Sequence, residues 1–111
     1  ASLCGAYDQA ALFAMWGERY HGLYEPDLYA AASNASVVHL IRGPLLLVTG
    51  DVDDAVHPSH TLQLADALLK ADARFELMVV PNAGHMVFLY PQVQRAVWRF
   101  FLEQLDRRPM D

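Results

Sequence analysis

Two short segments of the chain are largely apolar and end at turn residues. Residues 44–49 read Pro-Leu-Leu-Leu-Val-Thr and stop at Gly50, and residues 75–80 read Phe-Glu-Leu-Met-Val-Val and stop at a Pro-Asn pair. Short apolar runs bounded by turns are typical of strands buried on both faces, as in parallel sheets. Residues 1–6, which are small and apolar, are predicted to form the end of a further buried strand.

Two other segments carry apolar residues at helical spacing. In residues 59–70 the spacing predicts an amphipathic helix with Pro58 near its start. Residues 91–105 follow the same period and predict a second helix. The side chains predicted to face the core are Leu62, Ala65, Leu68 and Leu69 in the first helix, and Val93, Val97, Phe100, Phe101 and Leu105 in the second.

The part of the chain before residue 44 is less regular. Residues 7–27 contain many aromatic side chains interrupted by two glycines and a proline, which favours short helical turns and loops. Residues 27–32 are predicted to form one more helical turn. The element order is therefore strand, irregular helical segment, strand, helix, strand, helix. This alternation predicts an α/β fold with a mostly parallel sheet.

Composition agrees with a globular domain and narrows the function classes. Of the 111 residues, 54% are hydrophobic and 19% are charged. The net charge of −5, with eight scattered basic residues, argues against a nucleic-acid-binding face. No apolar run approaches the roughly 20 residues of a membrane helix, and no signal-peptide pattern opens the chain, so the compartment stays open. The single cysteine, Cys4, is predicted to be a small buried hydrophobe.

Acidic and imidazole side chains follow the two long predicted strands. The loop at 50–58 reads Gly-Asp-Val-Asp-Asp-Ala-Val-His-Pro, and the loop at 81–90 contains Asn-Ala-Gly-His. Adjacent parallel strands end at the same sheet edge, so a carboxylate of the first loop is expected beside His85. Such a carboxylate accepts a hydrogen bond from the histidine Nδ1–H and leaves Nε2 as a general base. Gly84 is expected to let the histidine loop turn sharply.

Three motifs in order resemble one known family. Residues 46–58 resemble the acid loop of the prolyl oligopeptidase superfamily, particularly its dipeptidyl-peptidase IV branch, which carries Asp-Asp-Asn-Val-His after a strand and a glycine. Residues 81–85 resemble the histidine loop of that family, and residues 16–23 resemble its Tyr-Thr-Glu-Arg-Tyr-Met-Gly segment. The resemblance implies the C-terminal part of an α/β-hydrolase catalytic domain, with about three mostly parallel strands flanked by helices. Residues 1–111 would form this single partial domain.

The resemblance also implies roles for particular residues. The catalytic aspartate is the first of the Asp-Asp pair, Asp53, and the catalytic histidine is His85. Tyr20, Trp16 and Val56 match the pocket that receives a proline or alanine side chain. The implied parent enzyme hydrolyses peptide bonds after Pro or Ala without metal or organic cofactor, and carries a β-propeller that is absent here.

Two departures from the family pattern affect the functional prediction. Ala55 stands where the dipeptidyl-peptidase IV branch has an asparagine that binds the substrate backbone. No Gly-x-Ser-x-Gly nucleophile motif occurs, and Ser2, Ser33, Ser36 and Ser59 lack its strand–turn–helix context. Chain order in α/β-hydrolases is Ser, Asp, His, so the serine is expected upstream of Ala1. The isolated chain is then expected to be inactive.

Other readings of the same residues remain open or fail. An esterase or acylaminoacyl-peptidase of the same fold stays open, as does a non-catalytic module that forms homo-oligomers through an unpaired sheet edge. The expected partners are a peptide substrate and the remainder of the catalytic domain. A calcium loop beginning at Asp51 fails because Val56 and Leu62 occupy its glycine and glutamate positions. His57 and His60 lack a third metal ligand at suitable spacing, so His57 is expected to cap the following helix or to pack under the acid loop.

Overall fold

The centre of the structure, a computed structural model that describes residues 1–11 and 19–107, is a parallel sheet. Its strands are β1 (Ser2–Leu3), β2 (Leu45–Gly50) and β3 (Phe75–Val80), in the spatial order β1-β2-β3. Both strand pairs are parallel, and β2 is fully buried after its first residue. The predicted α/β class with a mostly parallel sheet is confirmed.

Helical segments connect and cover these strands. They are α1 (Pro26–Ala31), a 3-10 segment at Asn34–Leu40, α2 (Ser59–Lys70), a 3-10 turn at Val87–Leu89, and α3 (Pro91–Leu105). α1 and α3 each begin at a proline, whose fixed φ suits the first helical turn. Among the described residues, no helix combines the length and apolar character that a membrane crossing requires.

The sheet has a hydrophobic cluster on each face. Leu46 and Val48 of β2 point toward α3, and Leu47, between them, points toward α2, as the period of two in a strand requires. The α3 cluster consists of Cys4, Leu46, Val48, Val80, Ala83, Val87, Val93 and Phe100. The α2 cluster consists of Tyr7, Val38, Leu47, Leu64, Ala65 and Leu68.

The buried stripe of α2 differs from the prediction. Leu62 is 50% exposed and Leu69 is 69% exposed, so two of the four predicted core positions face solvent. The buried positions are His60, Thr61, Leu64, Ala65 and Leu68. Because His60 and Thr61 are polar, the spacing of apolar residues in the sequence does not reveal this buried stripe.

The predicted core stripe of α3 is also too wide. Val93 and Phe100 are buried, and Val97 packs against the same cluster. Phe101 is 43% exposed and Leu105 is 82% exposed. Phe101 lines a groove together with Leu3 of β1 and Trp98 and is not part of the buried core.

His60 is buried because it completes backbone hydrogen bonds of the segment after β1. Its Nδ1 accepts the N–H groups of Tyr7 and Asp8, at 3.2 and 3.3 Å. Both bonds need an unprotonated Nδ1. Burial lowers the pKa of His60, outweighing the nearby Asp8 carboxylate, which raises it.

We expect acid to destabilise the fold through His60. Its folded-state pKa lies below the unfolded value of about 6.5, so the unfolded chain binds a proton first as pH falls. The contribution of His60 is complete above about pH 6.5 and is lost progressively below it. His60→Leu should lower the free energy of unfolding by about 2 kcal/mol at pH 7.5, because two N–H groups lose their acceptor.

Urea denaturation at a series of pH values measures both effects. His60→Asn keeps an acceptor near the Nδ1 position but does not titrate. It should be less destabilised than His60→Leu, and its free energy of unfolding should no longer change with pH near pH 6. A wild-type slope that persists unchanged in His60→Asn would contradict this assignment.

Candidate active site

The acid loop after β2 is organised around the Asp53 carboxylate. The Asp53 side chain is fully buried, and its Oδ1 accepts the backbone N–H groups of Ala55 and Val56, both at 2.9 Å. The N–H of Asp53 itself donates to the carbonyl of Gly50 at 3.3 Å. These local bonds close a tight turn and leave Oδ2 for a partner outside the loop.

The histidine loop after β3 lies directly against the acid loop. Gly50 and Val80, the last residues of β2 and β3, are register partners, so both strands end at the same edge. The N–H of Asp51 donates to the carbonyl of Val80 at 3.2 Å, and the N–H of Val52 donates to that of Ala83 at 3.1 Å. Two backbone bonds therefore hold the two loops together.

Gly50, not Gly84, is the glycine that this packing requires. A Cβ on Gly50 would collide with the carbonyl oxygens of Ala83 and Gly84. At Gly84 a Cβ would meet no atom within 4 Å, and its φ is not in the positive region. Neither crowding nor a positive φ therefore requires glycine at position 84. The positive φ of this loop falls at Asn82, at 55°.

The structure brings Asp53 and His85 into direct contact. Nδ1 of His85 lies 2.8 Å from Oδ2 of Asp53, and the His85 side chain is 43% exposed. With Nδ1–H donating to the carboxylate, the ring proton is fixed on Nδ1 and Nε2 keeps its lone pair. The pair has the geometry that the sequence predicts for a base and its orienting acid.

The environment of Asp53 keeps it ionised. Burial by itself would raise the pKa of Asp53. Hydrogen bonds from the Val56 N–H, from His85 and from the Ala55 N–H outweigh burial and hold the pKa of Asp53 below its usual value. A charged carboxylate therefore faces the imidazole at neutral pH and can stabilise an imidazolium.

The residues predicted for the substrate pocket are only partly located. Val56 is half-buried, and its N–H binds Asp53, which places it beside the acid. Tyr20 is 58% exposed, with the Arg19 guanidinium carbon 5.6 Å from its ring centroid. Trp16 lies outside the described residues. The pocket roles of all three stay predictions.

The other acidic and imidazole side chains of this edge have structural roles or face solvent. Asp51 and Asp54 are exposed. Nδ1 of His57 accepts the N–H of Ser59 at 3.1 Å, so His57 caps the start of α2 as predicted.

Cys4 also lies at this edge of the sheet, beside the Asp53–His85 pair. It follows β1 with a φ of 51°, and its N–H donates to the carbonyl of Val48 at 2.8 Å. It is buried as predicted, but its Sγ lies close to a carboxylate oxygen of Asp53 and a ring nitrogen of His85, all within 4.8 Å of one another. Burial raises the pKa of the Cys4 thiol. In the sequence, the one indication that Cys4 lies near Asp53 and His85 is that it directly follows a predicted parallel strand.

Comparison with known proteins gives matches along most of the chain. The model of the prolyl oligopeptidase family matches residues 2–108. Venom dipeptidyl peptidase 4 of Vespa velutina is 34% identical over 94 residues, which cover 79% of this chain and 12% of that protein. Inactive dipeptidyl peptidase 10 of Mus musculus is 33% identical over 95 residues, covering 76% of this chain and 12% of that protein. The chain thus spans about an eighth of the length of these relatives.

A solved structure supports the fold. The truncated form of a carbohydrate esterase from gut microbiota superposes with a TM-score of 0.82 at 23% identity, covering 95% of this chain and 41% of that one. The three parallel strands with helices on both faces agree with this likeness. The chain belongs to the prolyl oligopeptidase family and has the α/β-hydrolase fold.

Proposed function

We propose that this chain supplies the acid and the base of a Ser-Asp-His triad in a serine peptidase of the dipeptidyl-peptidase IV type. His85 takes the proton of an attacking serine through Nε2 and returns it to the leaving amine. Asp53 holds the ring in the required tautomer. The serine attacks the peptide carbonyl to form an acyl-enzyme, which water then hydrolyses.

The contact of 2.8 Å between His85 and the buried Asp53 carries this proposal. Family membership alone does not, because one similar relative is named as inactive. In this chain the carboxylate is charged, both of its oxygens accept hydrogen bonds, and the ring is half-exposed. A histidine with a purely structural role does not require a buried, charged carboxylate next to a ring that is accessible to solvent.

The serine is proposed to come from a part of the protein upstream of Ala1. Three serine hydroxyls in the described part of the chain bond to other groups: Ser2 to the Tyr7 hydroxyl, Ser33 to the Tyr29 carbonyl, and Ser36 to the Ser33 carbonyl. Ser59 is the second residue after His57, on α2. None of these positions follows a strand in the way a nucleophile elbow does.

The remainder of the catalytic domain is proposed to cover the groove between β1 and α3. This groove is lined by Leu3, Phe88, Val93, Val97, Trp98 and Phe101. Trp98 is 69% exposed, an unusual condition for such a large apolar side chain. β1 lies at the edge of the described strands and offers unpaired backbone groups to a further strand.

The substrate is proposed to be a peptide with Pro or Ala in second place. The name of the Vespa velutina relative supports dipeptidyl-peptidase activity, whereas the preference for Pro or Ala rests on the resemblance of the acid and histidine loops to the dipeptidyl-peptidase IV branch. A second candidate, ester hydrolysis, is favoured by Ala55, which lacks the side-chain amide expected to bind a dipeptide backbone. The name of the esterase of similar fold agrees with it.

Hydrolysis of two chromogenic substrates tests the proposal. The full-length protein should release the chromophore from a dipeptidyl-Pro anilide as well as from an acyl ester. A chain restricted to residues 1–111 should hydrolyse neither. Turnover by residues 1–111 that disappears in Ser33→Ala or Ser59→Ala would refute an upstream nucleophile, and hydrolysis of the ester without hydrolysis of the anilide would favour the second candidate.

A further inference from the structure

Three potential metal ligands meet where the three strands end. The Cys4 sulfur, a carboxylate oxygen of Asp53 and a ring nitrogen of His85 all lie within 4.8 Å of one another. Each comes from the loop after a different strand, so their spacing along the chain gives no sign of the cluster. Cys4 and Asp53 are buried, whereas the His85 ring is accessible from solvent.

These three side chains are a donor set that suits zinc. Thiolate and imidazole ligands favour Zn²⁺ over Mg²⁺ or Ca²⁺, and three protein ligands plus a water complete a tetrahedron. Zinc bonds of about 2.0–2.3 Å place neighbouring ligand atoms roughly 3.3–3.6 Å apart. Nδ1 of His85 and Oδ2 of Asp53 are 2.8 Å apart, so the ring must move back by roughly half an ångström. Its 43% exposure leaves room for that movement.

We propose that Cys4, Asp53 and His85 form an inhibitory zinc site at the centre of the triad. Zinc binds Sγ of Cys4, Oδ2 of Asp53 and Nδ1 of His85, and the thiol releases one proton to solvent. Oδ1 of Asp53 keeps its bonds to the N–H groups of Ala55 and Val56, so the acid loop does not have to unfold.

The bound metal blocks proton transfer in two ways. It replaces the hydrogen bond between His85 and Asp53, and the neutral ring must then carry its proton on Nε2. A protonated Nε2 has no lone pair with which to accept a proton from a serine. The inhibitory consequence rests on the proposed peptidase function, but zinc binding itself does not.

Titration of the metal-free full-length protein with Co²⁺ tests the site independently of activity. A thiolate bound to Co²⁺ gives a sulfur-to-metal charge-transfer band in the near ultraviolet. The band should form in the wild type and disappear in Cys4→Ser. In His85→Ala it should need far more Co²⁺, and the fold should tolerate this substitution because the His85 side chain is half-exposed. Asp54→Asn, a change of the neighbouring exposed acid, should leave it unchanged.

Inhibition by Zn²⁺ gives the functional readout, with each variant compared with its own metal-free rate. Micromolar Zn²⁺ should inhibit the wild type reversibly, and Cys4→Ser or Cys4→Ala should need at least about a hundredfold more, since losing a direct ligand costs more than losing a hydrogen-bond partner of a ligand, which costs roughly 10–100-fold. The absence of a charge-transfer band in the wild type, or an equal band in Cys4→Ser, overturns the proposal. If no substrate is hydrolysed, the peptidase proposal fails while the Co²⁺ band still decides the metal site.

Discussion

On the proposed function, replacing Asp53 by asparagine should lower the kcat of the full-length protein about ten-thousandfold. The amide that replaces Oδ2 donates instead of accepting, so it favours the histidine tautomer with the proton on Nε2. That tautomer cannot act as the base. The substitution also removes the negative charge that stabilises the imidazolium during proton transfer.

The local structure makes Asp53→Asn a cleaner test than Asp53→Ala. An asparagine oxygen can still accept the N–H groups of Ala55 and Val56, so the acid loop keeps its turn. KM for a dipeptidyl-Pro anilide should therefore change little, and the loss should fall on kcat.

The control is Asp54→Asn, an identical change one residue along the same loop. Asp54 is exposed, so the kcat of the Asp54→Asn variant should stay within about twofold of wild type. Equal rates for wild type and Asp53→Asn, or equal losses at Asp53 and Asp54, would show that Asp53 is not the acid of a triad.

The main elements of this fold could be predicted because they depend on strong local patterns. β3, α2 and α3 have the predicted bounds, and β2 differs by one residue at each end. Short apolar runs closed by Gly50 or by a Pro-Asn pair leave little choice of strand ends. Parallel strands also fix which loops meet, so the proximity of Asp53 and His85 follows from topology and needs no knowledge of side-chain packing.

The remaining features depend on contacts between segments distant in sequence. His60 is buried because the backbone after β1 needs an acceptor, and nothing in α2 reveals that need. Cys4 meets the Asp–His pair because β1 pairs with β2, where the register sets its depth. The predicted α3 stripe is too wide because periodicity alone does not show how much of a helix face the rest of the fold covers, and Phe101 and Leu105 are exposed.

Gly50→Ala is the change with the largest expected effect on stability, and it should also reduce activity. The new Cβ would meet the backbone carbonyl oxygens of Ala83 and Gly84, and backbone cannot rotate away as a side chain does. The histidine loop must therefore move off the acid loop. We expect a loss of about 3 kcal/mol in the free energy of unfolding, the upper part of the range for overpacked sites.

The same displacement should reduce catalysis in the molecules that remain folded. The bond from the Val52 N–H to the Ala83 carbonyl lies two residues from His85 and is the first contact to be strained. A shift of about 1 Å between base and acid is expected to cost roughly a hundredfold in kcat. Denaturation curves and kcat, measured well below the unfolding midpoint, separate the two effects.

Gly84→Ala is the matched control, since it adds the same methyl group to the same pair of loops. A Cβ there meets nothing within 4 Å, so both stability and kcat should stay near wild type. If Gly84→Ala proves as damaging as Gly50→Ala, the sharp turn expected at Gly84 governs the loop, and the close packing at Gly50 does not. The opposite result assigns the placement of His85 to the contact between the two loop backbones, with Gly50 as the residue that permits it.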